Sequence, residues 1–485
     1  MTPLRRAIAG GGVVGGAHVA GQVMALARQV IVARLLGPEE FGLGVAFFVV
    51  IALIEMIADL GVDRLLLQGS DGDDARLQRG LHFVQLARGA GLAALVASTG
   101  PWIASLFGRP DAAWAFSALA VVPLLRGFYH LDVLRSHRTY RFGPQARGEL
   151  VAQGLTLAAA WPLAAWEGTY ASVMYLMVLQ TAVYLVMTHL LADRRFSCRF
   201  ERDVTRTALK LGWPLLINGV LMFAISQGER VAVIRVYGEE SLAFWGVAAM
   251  LAMRPSGVFS RVANIVGMPF LAQSAASDRV QYAARARRYM LLTAGAALAG
   301  LVPLVLVGDV VLGILYGAAY GPACVLMPAL AAGQTARLAR GSVSVAAISG
   351  RQTATPMMGN LLRAAGLGIV VWMAVEGASL ASLALASAGA EAVAALGGAL
   401  FATHRGRLPA GALLAPSAGV IAAAGAALAL HAWAPSAGAG HWGAMVAGAL
   451  VSMCCGMWLI VRALDRGGAV RRLVSRVGAG RRAVV

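Results

Sequence analysis

Apolar residues run through this chain in blocks. Stretches of roughly 20 residues, each long enough as a helix to cross a bilayer, recur from end to end, separated by short polar or glycine-bearing breaks. They predict about fourteen transmembrane helices, near 8–35, 41–67, 81–106, 112–134, 146–166, 169–192, 208–236, 241–271, 286–308, 322–349, 354–375, 379–402, 411–433 and 442–462. Short connections favour antiparallel neighbours in an up-and-down bundle. The expected fold class is an all-α polytopic membrane protein.

Composition agrees with the pattern. Of 485 residues, 59% are hydrophobic and 13% charged, and mean hydropathy is +0.71; a soluble protein of this length needs a far larger charged surface. No hydrophilic stretch is long enough for a separate soluble domain. Arg5 and Arg6 resemble the charged start of a signal peptide, but the apolar run behind them continues through His18, Gln22 and Arg28 without a cleavage site. It reads as a first transmembrane helix.

The net charge of +18 would point to nucleic acid if the basic residues formed one patch. They fall instead in short clusters between apolar runs, and Lys210 is the only lysine. With the N-terminus inside, 28 of the 41 basic residues lie in predicted cytoplasmic segments, against Arg34, Arg109 and Arg235 on the other face. That asymmetry places both termini in the cytoplasm. The basic run 194–210 marks topology and is also placed to touch anionic lipid. Cys198, Cys324, Cys454 and Cys455 have neither metal nor disulfide spacing, and His18, His82 and His130 lack partners at ligand spacing, so neither metal nor cofactor is expected.

Candidate chemistry lies inside the spans. Ten arginines fall within them or at their edges: Arg28, Arg64, Arg88, Arg126, Arg230, Arg254, Arg261, Arg337, Arg340 and Arg363. The intramembrane acids are Glu55, Asp59, Glu229 and Glu391. One-to-one pairing leaves six positive charges over, and an unpaired buried charge is expensive. The excess calls for water or an anion, hence for a cavity suited to a negatively charged passenger. Arg64, Arg126 and Arg363 are expected to snorkel towards helix ends. Glu55 and Asp59, four apart, share a helix face; with Glu229 they either neutralise nearby arginines or carry a coupling cation. Arg254 and Arg261 return to one face of the eighth span, where Pro255 is expected to kink the helix. Arg337 and Arg340 share a face of the tenth.

A short internal echo organises the chain. ARLLGPEEFGLGVA, from Ala33 to Ala46, resembles IRVYGEESLAFWGVA, from Ile234 to Ala248. It pairs the first two spans with the seventh and eighth, as in transporters built from repeated halves. The expected organisation is a six-helix lobe at 1–193, a cytoplasmic linker at 194–207 and a second, pseudo-symmetric six-helix lobe at 208–404. Two accessory helices at 405–464 and a basic tail at 465–485 complete it. The accessory helices, Leu408 to Val461, hold no Asp, Glu, Lys or Arg; they either shape a groove for a lipid tail or pack on the bundle through small residues.

The sequence Gly37-Pro38-Glu39-Glu40-Phe41-Gly42, together with Asp59-Leu60-Gly61 and Leu67-Gln68, resembles the Wzx-type oligosaccharide flippases. These belong to the superfamily that also holds drug exporters and the peptidoglycan-precursor flippase. The resemblance implies translocation of a polyprenyl-diphosphate-linked oligosaccharide across the bacterial cytoplasmic membrane by alternating access. It also implies two lobes around a cationic cavity and coupling to a proton or sodium gradient. Forked guanidinium donors match phosphate oxygens, so Arg28, Arg88, Arg230, Arg254, Arg261, Arg337 and Arg340 are the expected diphosphate ligands. Asn218, Gln227 and Asn264 are placed to hydrogen-bond sugar hydroxyls, and Trp213 and Trp245 to stack on sugar faces. Expected partners are membrane lipids, the polysaccharide polymerase and export machinery, with no nucleic acid, and the chain is expected to be a monomer. A peptidoglycan-precursor flippase shares the diphosphate, whereas an exporter of cationic drugs calls for net acid in its cavity. A polysaccharide polymerase calls for a long outer loop carrying acid–base residues; every predicted outer loop is short.

Overall fold

In hydrocarbon a backbone amide has no water to bond, so an apolar run of membrane length folds as a helix. The computed structural model describes residues 3–57, 61–68, 72–139, 141–275, 279–405, 410–433 and 441–465. Its helices are α1 (Pro3–Ile57), α2 (Val62–Gln68), α3 (Ala75–Leu106), α4 (Ala113–Ala118), α5 (Val121–Gly127), α6 (Asp132–Arg135), α7 (Gly143–Glu167) and α8 (Ala171–Leu190). They are followed by α9 (Arg202–Ala275), α10 (Arg279–Gly300), α11 (Val302–Tyr316), α12 (Gly321–Ser349), α13 (Ala354–Val375), α14 (Leu380–Arg405), α15 (Ala410–Trp433) and α16 (His441–Asp465). There is no strand among the described residues.

Eight helices are long and apolar enough to cross a membrane, or nine if the bent pair Pro110–Gly127 and Asp132–Thr139 is one span, among the described residues. The other predicted spans coincide with helices that are kinked or carry charge. Both α1 and α9 are two spans joined at a non-helical glycine, Gly37 and Gly238. Every one of the fourteen expected spans has a helix, or an arm of one, over it.

The two kinks are the same device. Gly37 has φ 76° and ψ 174°, and Gly238 has φ 84° and ψ −179°, a region that is essentially glycine-only. The echo seen in sequence is thus a repeated backbone conformation. It recurs further along each half. Gly108 (φ 77°) follows α3 and Gly317 (φ 85°) follows α11. Sixty residues beyond each come Gly168 (φ 67°), after α7, and Gly377 (φ 77°), after α13. Three turns of each half are therefore marked by a positive-φ glycine, extending the repeat well beyond its detectable sequence.

By packing, the chain forms two units, Met1–Gly246 and Val247–Val485, with the boundary inside α9. The linker expected at 194–207 lies within the first unit, which also takes the first arm of α9. Here α1 packs on α7 and α8, and α3 on α4 and α5. Phe41, Leu43, Phe47, Phe116 and Leu119 are fully buried in it, with Phe47 edge-on to Phe116 at 4.9 Å between centroids.

The end of this unit that carries the glycine turns is tied together. Glu40 accepts from the Tyr170 amide at 2.7 Å, and Arg109 pairs with Glu239 at 3.0 Å and with Asp111 at 3.0 Å. A methyl at Gly42 would overlap the Glu239 carbonyl, so α1 and the turn after Gly238 meet backbone to backbone. At the opposite end, the start of α3 is stitched to the chain leading into α9. Arg76 pairs with Glu201 and Asp203 at 2.9 and 3.4 Å, and Arg135 and Arg194 reach Asp73 at 2.6 and 3.1 Å. The Arg135 hydrogen bond holds the Asp73 carboxyl below the usual carboxylate range. Part of the basic loop charge is thus used in cross-links between segments.

In the second unit α12 is central, packing on α11, α14 and α15. The accessory helix α16 crosses α10 at Gly456 and Gly295, where a Cβ on either would overlap the other's backbone. Ser452 adds a hydrogen bond to the Leu298 carbonyl at 2.7 Å. Of the two expectations for the accessory pair, packing through small residues is the one seen here.

Gly37→Ala and Gly238→Ala should each lower stability by about 1–3 kcal/mol, although no atom lies within 4 Å of the position a new Cβ would take. Thermal unfolding in detergent tests this; unchanged melting in both variants would rule out backbone strain as the reason for glycine.

Candidate functional site

A guanidinium inside an apolar helix needs an acceptor. In the first unit, Arg28 on α1 donates through Nη1 to Gln180 Oε1 on α8 at 2.6 Å. Gln180 is an amide in the middle of an otherwise apolar helix, a signal legible in sequence but absent from the expected site. Arg230, on the first arm of α9 and 8% exposed, donates to Gln227 Oε1 one turn earlier at 2.9 Å. Gln227 therefore serves an arginine of its own helix. Glu229 is half-buried beside it.

Glu55 and Arg88 meet in one cavity of about 370 Å³, lined also by Asp63, Leu92, Pro123 and Arg126. Arg126, expected to snorkel, forms an ion pair with Glu55 through Nη1. Glu55 thus stands paired with an arginine of another helix. Asp59 lies outside the described residues. Asn218 and Trp213 are exposed. Trp245 is 2% exposed, which corrects the expectation that it stacks on sugar: its ring is core.

In the second unit, Glu391 on α14 bridges two helices. Its Oε2 accepts from Arg340 Nε on α12 at 3.0 Å and its Oε1 from Arg363 Nε on α13 at 2.9 Å. Arg340 also donates to Asn360 Oδ1 at 2.8 Å, and Arg337, one turn from Arg340, lies within electrostatic reach of Glu391. Side-chain exposure of 4% for Arg363 and 7% for Glu391 corrects the expectation that Arg363 snorkels. It is a buried brace, legible only once α13 and α14 are known to pack.

Arg254 is half-buried and Arg261 exposed on the second arm of α9. That arm holds helical dihedrals through Pro255, with its break at Gly238 instead. Asn264 is exposed and donates to its own helix at the Ser260 carbonyl, 2.8 Å away. Inside the helices of this unit, Arg254, Arg261, Arg337, Arg340 and Arg363 stand with two carboxylates, Glu391 on α14 and Asp309 on α11, among the described residues.

Histidines far apart in sequence are also brought together in the first unit. His82 and His130 rings lie 5.1 Å apart and His130 and His189 rings 5.3 Å apart, around Phe196. His82 Nε2 accepts from the Leu131 amide at 3.1 Å, so its Nδ1 donates to the Ser197 carbonyl at 2.9 Å. Buried Asp132 accepts from the amides of Asp193 and Arg194 at 2.7 and 3.2 Å. This cluster fastens the chain after α8, and no spacing in the sequence announced it. Among the described residues no group of three or more His, Cys, Asp or Glu side chains is arranged to hold a metal.

The fold is shared with several solved structures. The lipid II flippase MurJ, in an inward closed conformation, has a TM-score of 0.70 at 13% identity, covering 95% of this chain and 99% of that one. An inward-facing multidrug resistance MATE family transporter of the MOP superfamily has a TM-score of 0.66 at 16% identity, covering 79% of this chain and 94% of its own. A MOP superfamily transporter from Pyrococcus furiosus, described as having a binding pocket of reverse polarity, has a TM-score of 0.58 at 15% identity, covering 83% and 96%. No curated protein matches the sequence. The fold is thus that of MurJ and the MATE transporters. Within it, the chain belongs to the polysaccharide biosynthesis protein family, whose sequence model matches residues 31–325.

Glu391→Gln should destabilise the protein by about 3–5 kcal/mol, because it leaves buried guanidinium charge without its carboxylate. Adding Arg363→Met to that variant should restore part of the loss. Equal melting of Glu391→Gln and the parent would show that the bridge does not hold α12, α13 and α14 together.

Proposed function

We propose that the protein is a flippase that moves a polyprenyl-diphosphate-linked oligosaccharide across the bacterial cytoplasmic membrane, for surface polysaccharide assembly, by alternating access. The observation that carries this is the arginine excess in the second unit. Five guanidinium groups, those of Arg254, Arg261, Arg337, Arg340 and Arg363, share its helices with two carboxylates, Glu391 and Asp309, a net positive balance. Such charge is tolerated where an anion or water meets it. A diphosphate is a compact anion suited to forked donors. Arg254 and Arg337 are the residues of this unit assigned to it; within the first unit, taken by itself, Arg28 and Arg230 are assigned to diphosphate as well.

Family membership supports a polysaccharide precursor as cargo. The MurJ fold supports lipid II as the second reading, since the diphosphate is common to both. Export of cationic drugs is disfavoured by the same charge balance, and the reverse-polarity pocket described for the Pyrococcus transporter is in keeping with one scaffold serving cargoes of different charge. The solved structures it resembles are a flippase and transporters, not polymerases. With both termini in the cytoplasm, the Arg109–Glu239 pair lies at the outer face and Arg76–Glu201 at the inner one.

Arg28→Ala and Arg254→Ala should each abolish polymer export in a complemented deletion strain while folded protein persists in the membrane. Undiminished export in both would remove the diphosphate site. Coupling to a proton or sodium gradient is assigned to Asp59. Asp59→Asn should make transport indifferent to an uncoupler; retained sensitivity would take the residue out of that role.

A further inference from the structure

The cavity shared by Glu55, Asp63, Arg88 and Arg126 is built unevenly. Its two arginines stand on one platform. Beside Arg88, Gly89 brings α3 against α5 so closely that a Cβ there would lie 2.7 Å from the Pro123 carbonyl oxygen. One turn before Arg88, buried Gln85 donates through Nε2 to the carbonyls of Arg126, Gly127 and Tyr129 at 3.0, 3.4 and 3.0 Å. These bonds hold the carbonyls at the end of α5, and with them the backbone of Arg126. Glu55 reaches Arg126 from a separate helix, the second arm of α1.

The Glu55–Arg126 pair is also the opposite of the Glu391 brace in its surroundings. Its side chains are 49% and 36% exposed, against 7% and 4% for Glu391 and Arg363. A pair open to a cavity adds less to stability than a buried one, on the order of 0–1 kcal/mol where water fills the cavity, so the contact is not a brace of the Glu391 kind. It does keep Arg126 neutralised while leaving the carboxylate easy to displace. Asp63 is exposed on the short helix α2 and adds a second carboxylate at the wall.

We propose that this cavity is a seat for a phosphate- or diphosphate-class anion, held by Arg88 and Arg126, with Glu55 the place-holding counter-ion that the anion displaces. The proposal rests on the flippase reading for its cargo and adds a site in the first unit that includes Arg126. No covalent step is involved; one acceptor replaces another on the same Nη1 donor.

The test uses the purified full-length protein in nanodiscs of zwitterionic lipid, titrated with farnesyl diphosphate, inorganic diphosphate and phosphatidylglycerol. Arg88→Gln and Arg126→Gln should each weaken farnesyl diphosphate binding about tenfold, the loss of one charge-assisted contact. Glu55→Gln should tighten it several-fold, because the competitor is gone and the fold is not taxed by a lost surface pair. Binding of inorganic diphosphate with the same order of variants would support the seat as a head-group site. Unchanged affinity in all three variants, with Arg254→Gln abolishing binding, would overturn the seat and leave the flippase reading standing. No binding of farnesyl diphosphate to the parent protein would count against that reading itself. Equally strong binding of phosphatidylglycerol would assign the cavity to a membrane lipid and overturn its assignment to cargo.

Discussion

A guanidinium group cannot shed its proton to suit an apolar setting, and this constraint shapes the protein from the inside. Every arginine carried into a transmembrane helix must find an acceptor. The chain offers few carboxylates for the purpose and places them deliberately. Glu391 is shared between Arg340 and Arg363 and joins three helices in a dry setting. Glu55 meets Arg126 at the wall of a cavity. Arg28 settles on the amide of Gln180. The first is structural because Glu391 and Arg363 are buried and Arg340 is largely covered. The second lines a cavity and is far less buried.

The glycine turns give the two halves their common frame. A residue at Gly37 or Gly238 must leave one helix and enter the next within a single step, in a conformation that side chains disfavour. Repetition at Gly108 and Gly317, and again at Gly168 and Gly377, shows backbone geometry persisting where side chains have diverged. Cross-links then distinguish the halves: Glu40 to the Tyr170 amide, and Arg109 to Glu239.

Much of the fold was legible because a bilayer imposes length on each helix. The spans, the paired kinks and the surplus of arginine could be read from the chain. Pairing could not, since it depends on which helices touch. Arg363 looked like a helix-end residue until α13 was set beside α14, and Arg126, which does end α5, gave no sign that its partner is Glu55. Trp245 carried the signature of a sugar platform and is instead packed away, a difference that only burial reveals. Pro255 attracted the expected kink, yet the break sits at Gly238, where glycine makes the required dihedrals available. The packing boundary within α9 was also beyond sequence, because composition puts a linker at 194–207 while contacts tie the first arm of α9 to the N-terminal unit.

The segment between α8 and α9 is fastened in two chemically different ways. Arg76 holds Glu201 and Asp203 through charges open to solvent, while His82 holds the Ser197 carbonyl and the Leu131 amide through an uncharged ring. Dissolved ions screen the first over a Debye length of about 8 Å at physiological ionic strength and leave the second almost untouched. Rising ionic strength therefore loosens the distal part of this strap while its root stays bound.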